Sequence, residues 1–318
     1  DMTDTQNEVF KTPVNKIRLF EHGAPGSQNL KLTRKYYTED MPDGRVKHIV
    51  QNITDPDIVP YIPDGIGNST DRQRIPAVLI IPGGAFRRLV YNFEGEDVAK
   101  WLNSMGIAAF VLECRLPSDE HDNAEDVPLI DAMRAMRVIR GRAQEFGIDE
   151  AKIGVMGFSA GGFMAALLST AYESDVYADY KYKDEYDKLS ARPDFAVCSY
   201  PVISIDDCIE AGKRYMSEEQ VLERISDGKA KILHKYNPDK LVRPDMPPVF
   251  ICETDDDRIT LSENSVGFYM AARKAGVSAE LHIFRTGGHG YGCGDDFAQT
   301  GEWKVLFTKW IKSIGIIS

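Results

Sequence analysis

The sequence predicts an α/β fold, a mostly parallel sheet with helices on both faces, and three observations carry that prediction. From residue 77 onward, apolar runs of strand length alternate with amphipathic stretches of helical period. One run, Ile153 to Met156, passes through Gly157-Phe158-Ser159-Ala160-Gly161 into a second apolar stretch, Phe163 to Leu168, which reads as strand, abrupt turn and helix. Two glycine-rich loops follow strand-like runs, Pro82-Gly83-Gly84-Ala85-Phe86 and Thr286-Gly287-Gly288-His289-Gly290-Tyr291-Gly292.

Taken in order, the first 75 residues carry only short apolar stretches (17–20, 30–32, 46–50 and 58–63). These predict edge strands and loops, because Pro56, Pro60 and Pro63 cannot donate to a central ladder. Residues 77–81 form the first strand continuous enough to be buried on both faces. A helix over 94–105, a strand over 107–112, a longer helix over 129–146 and the strand entering the Ser159 turn come next. Strands at 195–198, 248–252 and 279–284 follow, with a helix over 262–275 before the last of them and a final helix over 302–314. Residues 204–247, with the tyrosine-rich stretch 172–186, are too long for simple connections and predict a partial helical lid over the strand ends. The organisation expected is one domain, 1–318, with residues 1–75 as N-terminal edge strands and loops.

Composition narrows the class. With 43% hydrophobic and 27% charged residues the chain is an ordinary globular one. Its 38 basic and 49 acidic side chains, net −11, include no basic cluster to trace a phosphate backbone, so nucleic acid is not an expected partner. No apolar run approaches the roughly 18 residues that cross a bilayer, and the start lacks the basic and apolar regions of a signal peptide. A cytoplasmic protein without membrane contact is expected, a leader removed beforehand leaving no trace in the chain. Five cysteines without C-x-x-C spacing indicate neither a disulfide framework nor a zinc ribbon, and Cys114, Cys198 and Cys252 read as inert buried thiols.

The chemistry centres on Ser159. A serine hydroxyl needs a histidine to accept its proton and a carboxylate to orient that histidine. Of six histidines, His289 alone lies in a glycine loop directly after the last strand; His282 falls within a strand, His22 and His48 precede the sheet, and His121 and His234 sit in charged segments. The acid belongs to Glu253-Thr254-Asp255-Asp256-Asp257-Arg258, after the strand ending at Cys252. Asp257, where this loop turns toward the next helix, is favoured, with Asp256 the alternative. Capping of that helix accounts for some of these carboxylates, and the triplet lacks the spacing of a calcium loop. An oxyanion requires backbone donors. Gly84 and Ala85, after the first buried strand, and Ala160, after the nucleophile, are the candidates, while Phe86 and Tyr291 are candidates for the substrate pocket. Arg115 is expected to order the loops by pairing with a carboxylate such as Glu94. Trp303, Leu306, Phe307 and Trp310 share one helix face and read as core.

These pieces, together with Arg115-Leu116-Pro117, Arg192-Pro193-Asp194, Tyr200-Pro201-Val202 and Gly288-His289-Gly290, resemble the α/β-hydrolase fold. Within it they are similar to the esterase/lipase group containing bacterial acetyl xylan esterases and feruloyl-esterase-like proteins. The resemblance spans roughly residue 75 to the end and departs at Pro82 and Ala85 in the first glycine loop and at Glu253 and Leu261 around the acid. It implies a Ser159–His289–Asp257 triad, no metal or cofactor, and hydrolysis of acetyl esters on carbohydrates such as xylan or xylo-oligosaccharides. A peptidase of the prolyl-oligopeptidase kind shares the elbow, but fewer than 80 residues precede the first buried strand here, too few for the propeller such enzymes carry. A non-catalytic binding module of the same fold would require a lost triad member, and all three candidates are present.

Overall fold

The computed structural model describes residues 10–11, 14–66, 73–221, 230–295 and 299–318. Eleven strands occur among them. Eight form one sheet, in the order β1 (Ile17–Arg18), β4 (Asp57–Tyr61), β7 (Ala108–Glu113), β5 (Ile75–Ile81), β8 (Ile148–Phe158), β9 (Ala196–Ser199), β10 (Val249–Thr254) and β11 (Ala279–Phe284). From β7 to β11 every pairing is parallel, whereas β1 and β4 join antiparallel. A small antiparallel sheet of β2 (Lys35–Asp40), β3 (Val46–Gln51) and β6 (Leu89–Val90) stands beside it. The principal helices are α1 (Asp97–Ser104), α2 (Val127–Gly141), α3 (Ala160–Ala171), α4 (Ser262–Lys274) and α5 (Glu302–Ser313).

Strands β5, β7, β9 and β10, and β8 from Ile153 onward, are mostly apolar because helices cover both faces; β7 and β10 are buried throughout. Their register aligns the carboxyl ends: Ile81 pairs with Gly157, Phe158 with Ser199, Ser199 with Cys252, and Thr254 with Phe284. The loops after five strands therefore open on one rim. The strand order reverses at β5, which has β7 on one side and β8 on the other, and crevices for ligands form at such switch points.

Several expected boundaries move. The helix expected over 94–105 opens with a π-helical turn, Asn92–Glu96, and that over 129–146 starts two residues earlier and breaks at Arg142 into α2 and a short Ala143–Phe146 turn. Residues 30–32 are not a strand. Strand β4 is not at the sheet edge, yet its pairing with β1 covers only Asp57 and Ile58, so Pro60 meets one neighbour, Phe110, and its missing N–H breaks no second ladder.

In the expected lid, helices Ile205–Lys213 and Ala230–Lys235 are described, and residues 222–229 lie outside the described residues. The 172–186 stretch does not join it. That stretch packs on α2, where Arg134 pairs with Asp184 and Asp187 and Arg137 donates to the Tyr177 hydroxyl. Trp303, Phe307 and Trp310 of α5 are buried in the core. Among the described residues no helix is long and apolar enough to cross a membrane.

Candidate active site

Ser159 occupies the turn between β8 and α3 with φ +56° and ψ −118°, a strained conformation for a residue bearing a Cβ. The strain is imposed from both sides. The Ser159 amide donates to the Ser199 carbonyl at 3.0 Å and its carbonyl accepts from Phe163 at 3.1 Å. The flanking glycines make the turn possible: a Cβ on Gly157 would stand 1.9 Å from the Gly161 carbonyl oxygen, and one on Gly161 would stand 1.9 Å from that of Ile81. Only hydrogen fits at either position.

The last strand delivers His289. Its Nε2 lies 2.8 Å from Ser159 Oγ and its Nδ1 lies 2.7 Å from Asp257 Oδ2. The bond to the carboxylate assigns the proton to Nδ1 and leaves Nε2 to accept from serine. Asp257 is held in turn: Oδ1 accepts the amides of Ile259 and Thr260 at 2.8 and 2.9 Å, and Oδ2 also accepts the Thr260 hydroxyl at 3.0 Å. Burial pushes its pKa up, but the His289 hydrogen bond and charge and the two amides outweigh burial and hold the carboxyl below its ordinary value. Asp256 does not reach the imidazole; its Oδ1 accepts the Gly288 amide at 2.8 Å and so fixes the histidine loop.

The loop after β5 curls against the serine. A Cβ on Gly83 would lie 2.4 Å from the Phe158 carbonyl oxygen and 2.9 Å from Ser159 Cβ. Gly84, Ala85 and Phe86 all have positive φ (+143°, +56° and +60°), which turns the chain back so that the Gly84 carbonyl accepts from Arg87 and Arg88. The amides of Gly84, Ala85 and Ala160 donate to no protein acceptor among the described residues, and Ala160 stands in the first turn of α3, where helix donors are free. Behind these loops, Phe86, Ala160, Gly161 and Met164 help line a cavity of about 10 Å³, room for about one water.

Two expected pocket residues are less open than anticipated. Phe86 is buried edge-on against Phe163. Tyr291 is only 3% exposed and packs against Tyr200, so it backs the histidine loop instead of offering a face to substrate. Arg115 does not pair with Glu94. It forms a buried ion pair with Asp131 of α2 at 2.7 Å and donates to Ser27 Oγ, because it leaves β7 on the side of the sheet that α2 covers. Glu94 instead accepts the Gly83 amide and the Tyr200 hydroxyl.

Sequence reasoning missed Tyr200, Thr260 and the true partners of Glu94. Tyr200 carries the one legible signal, since Tyr200-Pro201 ends a short apolar strand at the site's rim. Cys198 and Cys252 are free and buried, and burial pushes the Cys252 thiol up to about 12. Among the described residues no group of three His, Cys, Asp or Glu side chains is placed to hold a metal ion.

A sheet of this topology, with a strained serine on the β8–α3 turn and a hydrogen-bonded histidine and aspartate on later loops, defines an α/β-hydrolase. Comparison with known proteins agrees and is more specific. Residues 66–271 match the BD-FAE family, and the chain belongs to it. It is 31% identical over 240 residues to an acetylxylan esterase of Xylanibacter ruminicola, covering 75% of this chain and 45% of that one. It is also 31% identical over 227 residues to endo-1,4-beta-xylanase B of Butyrivibrio fibrisolvens, covering 71% of this chain and 34% of that one. The chain thus spans less than half the length of the curated relatives it matches. Among solved structures, an acetyl ester-xyloside bifunctional hydrolase from Caldicellulosiruptor lactoaceticus is 34% identical with a TM-score of 0.71, over 95% of this chain and 97% of that one. A carboxylesterase from Lactobacillus plantarum, 20% identical with a TM-score of 0.66 over 90% of this chain and 99% of that one, shares the fold.

Proposed function

We propose that this chain is a serine carboxylesterase that removes short acyl groups, acetyl foremost, from carbohydrates such as xylan or xylo-oligosaccharides. The observation that carries the reading is the continuous relay Ser159 Oγ–His289–Asp257, with links of 2.8 and 2.7 Å, on a strained elbow. His289 takes the serine proton as Oγ attacks the ester carbonyl. The Gly84, Ala85 and Ala160 amides stabilise the tetrahedral oxyanion, and the alcohol leaves with the proton returned by His289. Water activated by the same histidine then resolves the acyl-enzyme. No cofactor enters these steps.

The acyl and sugar assignments are supported by the relatives' names, an acetylxylan esterase and a hydrolase of acetyl esters and xylosides. Residues 204–221 stand beside the acid loop, with the Arg258 guanidinium 5.6 Å over the Tyr215 ring, which supports a lid on that side of the site.

Acetate release from acetylated xylo-oligosaccharides, set against cleavage of a peptide amide, tests the reading. Release of acetate with the amide left intact is expected, and the reverse would turn the assignment toward a peptidase. Ser159→Ala should lower ester turnover by roughly 10⁴-fold or more; a variant keeping most of its activity would remove Ser159 from the mechanism.

A further inference from the structure

A buried carboxylate lies between the two loops that flank Ser159, and the steps above make no use of it. Glu94, in the π-helical turn after β6, is 5% exposed. Its Oε2 accepts the Gly83 amide at 2.8 Å and its Oε1 accepts the Tyr200 hydroxyl at 2.9 Å. The Tyr200 oxygen accepts the Gly292 amide at 3.0 Å, and its ring stands edge-on 4.9 Å from the His289 imidazole. Gly83–Glu94–Tyr200–Gly292 is therefore one chain of hydrogen bonds from the glycine loop to the histidine loop. It also adjoins the nucleophile, because a Cβ on Gly83 would stand 2.7 Å from Glu94 Oε2 and 2.9 Å from Ser159 Cβ.

The residue type is informative. A carboxylate without water is costly unless its oxygens are matched by donors. Here the carboxylate accepts an N–H on one oxygen and an O–H on the other; a glutamine keeps one acceptor oxygen, and its NH2 would turn the Tyr200 hydroxyl from donor to acceptor, so that the hydroxyl proton needs another partner. Burial pushes the Glu94 pKa above its ordinary value, against the pull of His289, the Tyr200 hydroxyl and the Gly83 amide. Tyr200 itself is held at φ +35°, with its amide donating to Cys252 at 2.8 Å, an unfavourable backbone that the surroundings enforce.

We infer that Glu94 is a positioning residue for ester hydrolysis. Through Gly83 it sets the Gly84 and Ala85 amides, and through Tyr200 and Gly292 it sets the His289 loop, so that anion site and base keep one relation to Ser159. The inference rests on the serine-esterase reading.

The test measures kcat and KM for a short-chain aryl acetate, and the rate of phosphonylation by an aryl phosphonate. The variants are Glu94→Gln, Glu94→Leu, Tyr200→Phe and the Glu94→Gln/Tyr200→Phe double variant, with Ser159→Ala alongside. Glu94→Gln should lower kcat about 10-fold and Glu94→Leu about 10²-fold, both with KM within about twofold, as expected when transition-state contacts are misplaced. Phosphonylation should slow in parallel. The double variant should be no worse than the poorer single one, since both changes cut the same chain. Full kcat in a folded Glu94 variant, a loss carried by KM alone, or additive losses in the double variant would overturn the inference. If Glu94→Leu does not fold, Glu94→Gln and Tyr200→Phe decide on the same terms. Activity surviving in Ser159→Ala would bring down the esterase reading and this inference with it, whereas an inactive Ser159→Ala beside fully active Glu94 variants rejects the inference alone.

Discussion

Asp257 has a side chain closed to solvent and four hydrogen-bond donors around its two oxygens, counting the imidazole. Such a carboxylate stabilises the folded state as well as holding the His289 imidazole in place. Its native pKa lies below the unfolded one, so its contribution is complete above about pH 4, near the unfolded value, and is lost as pH falls through the lower native value. Asp257→Asn should therefore melt below the wild type at pH 7, with the gap closing as both are acidified past pH 4. A gap that persists unchanged at pH 3 would contradict the assignment. At this scale the sequence was informative where position along the chain decides the matter. His289 is singled out by its glycine loop after the last strand. Asp257 is favoured over Asp256 by its place where the loop turns toward the next helix, but the part Asp256 plays was not legible, because it depends on that side chain turning toward the Gly288 amide. The partner of Arg115 was equally hidden, since it depends on which layer covers the end of β7.

The elbow shows how an element, not a residue, makes the site. Gly161 lets α3 start directly against the end of β5, and the same contact seats the glycine loop beside Ser159. Adding one methyl at Gly161 should force β5 and α3 apart, costing about 3 kcal/mol or more and most of the activity. Gly267 supplies the contrast: it is exposed on α4, with nothing within 4 Å of where a Cβ would stand. Gly267→Ala should stabilise by about 1 kcal/mol through helix propensity alone, leaving activity unchanged. Thermal melts and ester assays on the two variants check both; equal behaviour would show that backbone entropy, not close approach, governs Gly161. Strands buried on two faces were legible because they leave continuous apolar runs. Helix starts were not, since the π-turn before α1 keeps helical periodicity while shifting its first residue, and the break after Gly141 is masked by apolar residues that run on to Phe146.

Across the whole molecule, the 16–61 segment is bound to the large sheet by charge as well as by strands. Glu113, at the end of β7 and fully buried, accepts from Lys16 at 2.8 Å and from Arg34 at 2.6 Å, and the same Arg34 nitrogen reaches Asp57 of β4 at 2.6 Å. From the helix layer Arg134 donates to the Leu19 carbonyl at 2.8 Å, and from the loop after β7 Arg115 donates to Ser27. The sequence presented these residues as loosely patterned edge material, because their apolar stretches are short and their anchors are single charged side chains far apart in the chain. Their physical role follows from β4, which covers the edge of β7 from Ala109 to Glu113. A chain starting at residue 73 would uncover that edge, with Phe110 and Leu112 beside it, and would strip Glu113 of both cations. Unpaired apolar edges recruit other chains, and losing one side of a buried ion pair costs about 3–5 kcal/mol. The truncated chain should aggregate or lose its cooperative melt at 25 °C, and Glu113→Ala in the full chain should reproduce part of that loss as a lowered Tm. A truncated chain that stays monomeric, melts cooperatively near the full-length temperature and hydrolyses esters would show instead that residues before 73 are an accessory to a self-sufficient hydrolase core.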